Sequence, residues 1–183
     1  KAQWRGLGMD LEHLLSLERA ERLAGIAARF FRARFATSLA AEDMVLTDAI
    51  LRGSPAVRAG IRVFTLNTGR LHAETLAVLD KVETHYGYTI EQFTPDQEAV
   101  DNYIRNNGLN AIYDSVDLRK SCCGIRKVEP LNRALSHADA WMTGQRREQA
   151  VTRAELPFEE TDESRGIPKF NPLADWTEAE VWA

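Results

Sequence analysis

Residues 61–87, IRVFTLNTGRLHAETLAVLDKVETHYG, decide the fold class. A short apolar run is followed by a turn at Gly69 and then by apolar residues at helical spacing. The same succession occurs on both sides, as RFATSL before EDMVLTDAILRG and as YTIEQF before DQEAVDNYIRNNG. A long helix with CCGIRKVEPLNRAL then precedes a strand in DAWMTG. Because strands alternate with helices, the sequence predicts an α/β fold built from βα units around a mostly parallel sheet.

The chain is interpreted as one domain with three segments. Apolar residues recur at helical spacing near the start, so residues 1–35 are predicted to form N-terminal helices. Residues 36–154 form the α/β core, and residues 155–183 begin a C-terminal region. One domain is the default for 183 residues that are 44% hydrophobic and 27% charged.

The C-terminal region is predicted to start with a loop. Residues 155–175 contain three prolines, a glycine and an acidic run. The final TEAEVWA is typical of the first turns of a helix capped by Thr177. The sequence does not begin with Met, and we expect both ends to be trimmed, with the rest of the C-terminal region absent.

Composition and charge exclude several classes of function. A formal net charge of −4 gives no reason to expect nucleic-acid binding. No apolar run approaches the ~18 residues of a membrane span, and no signal-peptide pattern is present. Two cysteines in a chain of this size do not form a disulfide framework. We therefore expect a soluble, cytoplasmic protein without membrane or nucleic-acid partners.

Residues suited to anion binding follow three of the predicted strands. Ligands of open α/β sheets bind at the carboxyl ends of the strands, so these exits are the places to inspect. The candidates at the three exits are Thr37 and Ser38; Asn67, Thr68, Gly69 and Arg70; and Gly144, Arg146 and Arg147. Each exit also has an ordinary explanation as a turn, a helix cap or a solvated surface. Together they favour a ligand that carries phosphate or sulfate.

Cys122 and Cys123 lie in KSCCGIRK, residues 120–127. Neighbouring Cα atoms are about 3.8 Å apart, whereas disulfides usually span roughly 4.4–6.8 Å, so a bond between the two is not expected. The surrounding basic residues favour thiolates. Iron–sulfur clusters normally need four thiolates, and zinc would have to recruit His72 or His137, which lack ligand spacing to the pair. From spacing alone, two small buried apolar side chains are an equally good interpretation.

Five stretches together resemble a known family. TSLAAEDMVL, LNTGRLHAET, KSCCGIRKVEPL, AWMTGQRREQAVTR and KFNPLADWTEAEVW occur in the order and spacing of the assimilatory adenosine 5'-phosphosulfate reductases, which are relatives of the 3'-phosphoadenosine 5'-phosphosulfate reductases. The resemblance covers about residue 36 to the end. It implies a doubly wound fold with helices on both faces, of the adenine nucleotide alpha-hydrolase-like (PP-loop) type.

The resemblance also implies a reaction and its partners. Adenosine 5'-phosphosulfate would be reduced to sulfite and AMP, through a cysteine thiosulfonate, with electrons from thioredoxin or a glutaredoxin-like donor. The nucleophilic cysteine of the family lies in a C-terminal tail that this chain does not contain. A [4Fe–4S] cluster would be held in part by Cys122 and Cys123, and a homo-oligomer is possible. Reduction of 3'-phosphoadenosine 5'-phosphosulfate and a PP-loop ATP-dependent adenylyltransferase are the alternatives, and a non-catalytic nucleotide sensor is a third.

The family's motifs assign roles to residues of this sequence. Lys127, Arg146 and Arg147 are predicted to neutralise charge on the leaving AMP. The predicted substrate-binding residues are Ser38, Leu66, Thr68, Gly69, Arg70, His72 and Gly144. For His72, a plain helix-start residue is an equally good interpretation. Two departures affect the substrate loops, since the family usually has Gly at the position of Ala40 and Asp at that of Asn67.

Overall fold

The computed structural model describes residues 11–183, with side chains from residue 16 onward. The helices are α1 (Leu11–Arg29), α2 (Ala41–Leu51), α3 (Pro55–Gly60), α4 (Ala73–Tyr86), α5 (Gln97–Asn107), α6 (Val116–Cys123), α7 (Glu129–Leu135) and α8 (Glu178–Val181). The strands are β1 (Ala33–Thr37), β2 (Ile61–Leu66), β3 (Glu91–Phe93), β4 (Ala140–Met142), β5 (Glu159–Asp162) and β6 (Ile167–Phe170). No helix of this described part is long and apolar enough to cross a membrane.

All six strands belong to one sheet, in the order β3-β2-β1-β4-β6-β5. Neighbouring strands are parallel except for β5 and β6, which form an antiparallel hairpin. The chain runs outward from β1 to β2 and β3, and then returns to the other side of β1 with β4. This reversal opens a crevice at the carboxyl ends of β1 and β4, where open α/β sheets bind ligands. The predicted mostly parallel, doubly wound fold is confirmed.

Alternation along the strands gives the sheet two apolar faces. In β2, Val63 packs in the main core with residues of α1, α2 and α4, whereas Phe64 belongs to a second core with Ala134 and Leu135 of α7. In β4, Met142 and Trp141 divide in the same way. Helices therefore cover both faces, as predicted.

Two segment boundaries differ from the sequence prediction. The N-terminal segment contains one described helix rather than several, and residues 33–35 already belong to β1. The predicted loop at residues 155–175 is wrong in part, because it contains β5 and β6. The loop interpretation failed because Pro168 and the acidic residues are poor strand formers. The predicted Thr177 cap is confirmed, since its hydroxyl accepts a hydrogen bond from the Glu180 N–H at 3.2 Å.

The predicted long helix with the cysteines is interrupted by a π-helical turn at Gly124–Val128, between α6 and α7. There the Glu129 N–H bonds to the Gly124 carbonyl, five residues back. Pro130 follows and has no N–H to give to a carbonyl four residues earlier. A wider turn before the proline accommodates this loss, and it changes the direction in which Arg126 and Lys127 project.

Candidate functional site

Two cavities flank the carboxyl end of β1. The β1–β4 cavity, of about 290 Å³, is lined by Ala36, Ser38, Ala40, Glu42, Asp43, Thr143, Gly144, Gln145, Gln149 and Arg153. The β1–β2 cavity, of about 230 Å³, is lined by Ala36, Thr37, Ser38, Thr65, Leu66, Thr68, Leu71 and Lys127. Both contain Ala36 and Ser38, so together they form one crevice across the end of β1. Its lining includes Ser38, Leu66, Thr68, Lys127 and Gly144 among the predicted site residues.

Asp43 joins the two loops that bound the β1–β4 cavity. One carboxylate oxygen accepts hydrogen bonds from the Ser38 N–H and hydroxyl, both at 2.6 Å, and the other accepts from the Gly144 N–H at 3.0 Å. Burial raises the pKa of Asp43, while the bonds from Ser38 and Gly144 oppose that rise. Ser38 therefore gives its donors to Asp43, and this differs from the sequence prediction that they would cradle an anion.

Gly144 is required here because of the close approach of Asp43. A Cβ at this position would lie 2.2 Å from the Asp43 Oδ1 atom and 3.1 Å from its backbone nitrogen. Any side chain larger than hydrogen would push the β4 loop away from α2. The sequence prediction of close approach at Gly144 is thus explained by a carboxylate of the protein itself.

Arg146 is buried and bonded inside the protein. Its Nε and Nη2 donate to Glu42 Oε1 at 3.1 and 2.8 Å, and Nη1 reaches the Trp176 carbonyl at 3.4 Å. Burial alone would raise the pKa of Glu42, but hydrogen bonds from its own N–H, Arg146 and Gln149 hold it below its ordinary value. Contact with a substrate would require Arg146 to exchange these bonds, so its predicted catalytic role stays a prediction.

Arg147, Arg70 and His72 lie outside the linings of both crevice cavities. Arg147 donates through Nε to the Leu156 carbonyl at 2.8 Å, and Arg70 donates through Nη1 to the Leu109 carbonyl at 2.9 Å. His72 is the exposed N-cap residue of α4 and makes no side-chain cap bond, in agreement with the plain helix-start interpretation.

The second-strand loop is held by the π-helical turn. Gly69 has φ +70°, a conformation that favours glycine, and its absent side chain leaves room for Arg126, whose Nη1 would lie 3.3 Å from a Cβ. Arg126 is buried and donates to the Thr68 carbonyl at 2.7 Å. The next residue, Lys127, is exposed in the β1–β2 cavity and has no hydrogen-bonding or ionic partner in the described chain. The helical turn that follows the cysteines therefore supplies both Arg126, which holds the loop after β2, and the unpaired cation of Lys127.

The two family departures have simple structural explanations. Ala40 has φ −76° and ψ 168°, which any residue adopts, whereas the preceding Leu39 has the left-handed φ of 64°. Asn67 accepts a bond from the Gly69 N–H at 3.2 Å and donates to Gln92 at 3.1 Å. An aspartate could accept the first bond but could not donate the second.

Cys122 and Cys123 are free thiols in different surroundings. Cys122 is buried in a small apolar cluster with Tyr103 and Ala111, while Cys123 is half-buried. Within residues 16–183, no group of three or more His, Cys, Asp or Glu side chains is arranged to hold a metal ion. The donor chemistry fits an iron–sulfur cluster only as two of its four usual thiolates. His137 lines a cavity at the opposite edge of the sheet, so it does not join them.

Sequence reasoning missed three residues of this site: Asp43, Arg126 and Arg153. Arg153 lines the β1–β4 cavity, and its Nη1 donates to Gln149 at 2.6 Å, with no carboxylate partner among the described residues. Asn171 is a fourth, supporting residue: fully buried, it accepts a bond from the Thr143 hydroxyl at 2.9 Å and donates to the Pro157 carbonyl at 3.0 Å. Its position in KFNPL was the available signal.

Comparison with known proteins identifies the family. The profile of the "Phosphoadenosine phosphosulfate reductase domain" matches residues 32–183. The chain belongs to this family. A protein named adenosine 5'-phosphosulfate reductase from Burkholderia cepacia is 66% identical over 162 residues, which cover 88% of this chain and 63% of that protein. A protein of the same name from Neisseria meningitidis is 54% identical over 164 residues, with 89% and 66% covered.

The fold of the phosphoadenosine phosphosulfate reductase family also appears among solved structures. A phosphate complex of phosphoadenylyl-sulfate reductase from Candida auris superposes with a TM-score of 0.74 at 27% identity, covering 94% of this chain and 82% of that one. The chain spans somewhat less than two thirds of the length of the curated relatives it matches.

Proposed function

We propose that this chain is the sulfonucleotide-binding part of a reductase that converts adenosine 5'-phosphosulfate to sulfite and AMP. The observation that carries the proposal is the crevice at the end of β1, with the unpaired Lys127 on one side and Arg153 on the other. The names of the relatives, adenosine 5'-phosphosulfate reductases, support the choice of substrate.

The start of α2 favours an anion in the β1–β4 cavity. Its N-cap residue, Ala40, provides no side-chain acceptor, so no N-cap side chain engages the first N–H groups of this 11-residue helix, although the Glu42 N–H bonds to its own carboxylate. The first turn carries two acids, which would repel an anion. Glu42 is paired with Arg146, which also contacts Glu148 at 3.3 Å, and Asp43 is engaged by Ser38 and Gly144. These internal bonds leave the positive end of the helix effective toward a phosphate group.

The chemistry we propose is nucleophilic substitution at sulfur. A cysteine thiolate from outside this chain attacks the sulfate sulfur, the bond from sulfur to the AMP oxygen breaks, and a cysteine thiosulfonate remains. Thioredoxin or a glutaredoxin-like donor then supplies the two electrons that release sulfite and restore the thiol. Lys127 binds the phosphosulfate and stabilises the negative charge that develops on AMP, because a preorganised cation interacts most strongly where charge grows. Leu66 contacts the nucleoside from the adjoining cavity.

We further propose that Cys122 and Cys123 supply two thiolates of a [4Fe–4S] cluster, and that the remaining ligands come from residues outside this chain. Bound there, the cluster would supply negative charge one helical turn from Lys127. In the anaerobically purified full-length protein, Cys122→Ser and Cys123→Ser should each remove the visible iron–sulfur absorption and the bound iron. Ser121→Ala, on the same helix, should retain both, and full absorption in either cysteine variant would refute this assignment.

Sulfite release from the two sulfonucleotides tests the proposed reaction. Purified full-length enzyme with thioredoxin should release sulfite from adenosine 5'-phosphosulfate in preference to its 3'-phosphorylated form. Reduction of the 3'-phosphorylated form is the second candidate, since the matched family profile and the Candida auris structure carry that name. Lys127→Ala should reduce turnover strongly, whereas Lys81→Ala, an exposed lysine of α4, should leave it unchanged. Equal loss in both variants, or ATP-dependent release of pyrophosphate, would contradict the proposal.

A further inference from the structure

A second basic cavity lies at the opposite edge of the sheet, near the amino ends of the strands. This amino-edge cavity, of about 530 Å³, has a lining that includes Phe31, Arg32, Arg34, Arg62, Tyr88 and Glu91. Its volume is within the range of small-molecule sites. The lining shares no residue with the crevice cavities at the end of β1.

Positive charge in the amino-edge cavity is not balanced. Arg34 pairs with Glu91, the only carboxylate in the lining, and also donates to the Ala134 carbonyl at 2.8 Å. Arg32 and Arg62 are exposed, and their guanidinium groups have no hydrogen-bonding or ionic partner within the described residues. The whole chain is acidic, with a net charge of −4, so this concentration of arginine is a local exception. Two free guanidinium groups at one cavity suit a phosphate group.

The loop that presents Arg32 is fixed by Asp139. The two Asp139 carboxylate oxygens accept hydrogen bonds from the Phe31 N–H at 3.1 Å and the Arg32 N–H at 3.0 Å. The Asp139 N–H returns a bond to the Arg32 carbonyl at 3.4 Å. The Asp139 carboxylate is therefore already engaged with the backbone. A preorganised loop reduces the entropy that ligand binding would cost.

An exposed aromatic ring lies beside these arginines. Phe31 is 97% exposed, although both its own and the following N–H groups are held in place. Across the cavity, the Tyr88 hydroxyl accepts a hydrogen bond from the Val63 N–H at 3.2 Å, which fixes that ring. An almost fully exposed phenyl ring on an ordered loop offers apolar area that a flat ligand could cover.

We propose that the amino-edge cavity is a second ligand site, for a small organic anion in which a phosphate group is attached to a flat ring. Arg32 and Arg62 bind the phosphate, and Phe31 stacks on the ring. Arg34 remains paired with Glu91 and forms the floor of the site. The two sites share no lining residue, so we expect substitutions in the crevice to leave binding here intact.

Calorimetric titration with phenyl phosphate, and in parallel with inorganic phosphate, tests this site in the full-length protein at fixed ionic strength. The double variant Arg32→Ala/Arg62→Ala should weaken phenyl phosphate binding at one site by about tenfold or more, since two charge-assisted contacts are lost. Lys127→Ala, in the crevice, should leave that site intact. The double variant Lys81→Ala/Arg105→Ala, at exposed residues of α4 and α5 outside the cavity, is the matched control for the loss of two positive charges.

The variant Phe31→Ala distinguishes the contribution of the ligand's ring to binding from that of its phosphate. It should weaken phenyl phosphate binding by about threefold to tenfold, which is ~0.6–1.4 kcal/mol, and leave inorganic phosphate binding unchanged. Thermal unfolding of each exposed-site variant should match that of the wild type. Unchanged phenyl phosphate binding in the double arginine variant would overturn the proposal, as would loss of all binding in Lys127→Ala, because either result places the anion elsewhere.

Discussion

Replacing Gly144 by alanine should destabilise the fold by closing the gap between the β4 loop and α2. The added Cβ would lie 2.2 Å from Asp43 Oδ1, 3.1 Å from the Asp43 nitrogen and 3.2 Å from the Glu42 carbonyl carbon. A contact under 3.0 Å forces one of the two groups to move, and the Asp43 side chain is not free to move. Its other oxygen is bonded twice to Ser38 at 2.6 Å, and the side chain is buried.

The magnitude follows from two separate losses. Overpacking a buried position costs typically ~1–3 kcal/mol. Moving the loop also breaks the 3.0 Å bond from the Gly144 N–H to a carboxylate, and hydrogen bonds to charged groups contribute about 1.5–3 kcal/mol. Because the two effects overlap, we expect the free energy of unfolding to fall by roughly 2–4 kcal/mol, and sulfonucleotide binding to weaken with it.

Urea denaturation of Gly144→Ala beside Gly25→Ala provides the measurement. Gly25 lies within α1, and a Cβ built there meets no atom within 4 Å. The same substitution at Gly25 should therefore leave stability unchanged or raise it by up to about 1 kcal/mol through helix propensity. If Gly144→Ala unfolds within about 0.5 kcal/mol of the wild type, the contact between Asp43 and the β4 loop is not what fixes the crevice.

Three further outcomes are expected. Lys127→Ala should leave the unfolding midpoint unchanged, because the side chain is exposed, but should weaken sulfonucleotide binding by about tenfold or more in equilibrium titrations. Asn171→Ala leaves the half-buried Thr143 hydroxyl and the Pro157 carbonyl without their partner, so urea denaturation should show a loss of about 1–3 kcal/mol in the free energy of unfolding. Glu42→Gln should make the free energy of unfolding less dependent on pH in the acid range. In the wild type, the lowered pKa of Glu42 stabilises the fold at pH values above the ordinary pKa of 4.5, and this stabilisation is lost as the pH falls through the lower folded-state pKa. An unchanged slope of unfolding free energy between about pH 5 and pH 2 would contradict the Glu42 prediction.

The parallel core was predictable because the local sequence pattern of each strand and helix identifies it. The IRVFTL strand and the helix after Gly69 have the two periodicities that strands and helices require, and Thr177 provides a recognisable cap. The β5–β6 hairpin lacks such a signal. β5 is polar and β6 includes Pro168, and the hairpin forms because β6 pairs with β4, a partner distant in the sequence.

The candidate site was predictable in its location but less so in its contacts. The strand exits follow from topology, and the glycines from the turns they require. The role of Asp43 could not be predicted, because an acid in the first turn of a helix is common and its bond to Gly144 joins residues 101 positions apart. For the same reason the sequence suggested that Arg146 was an unpaired cation, because its partner Glu42 is 104 positions away. Sequence pattern reveals which charges are present, but only the fold reveals which of them neutralise each other.

The pairing of charges also explains how an acidic helix start can serve an anion site. Were Glu42 and Asp43 free, two negative charges in the first turn of α2 would cancel the attraction of its N–H groups for phosphate. The buried guanidinium of Arg146 compensates one of them, and three donors from Ser38 and Gly144 engage the other. Under the proposed function, Arg146 would therefore act on the anion through Glu42, as a positioning residue, and Lys127 would contact the ligand directly. On this reasoning Arg146→Lys should lower both stability and binding, since one ammonium cannot reproduce the two bonds to Glu42, whereas Lys127→Arg should retain much of the binding.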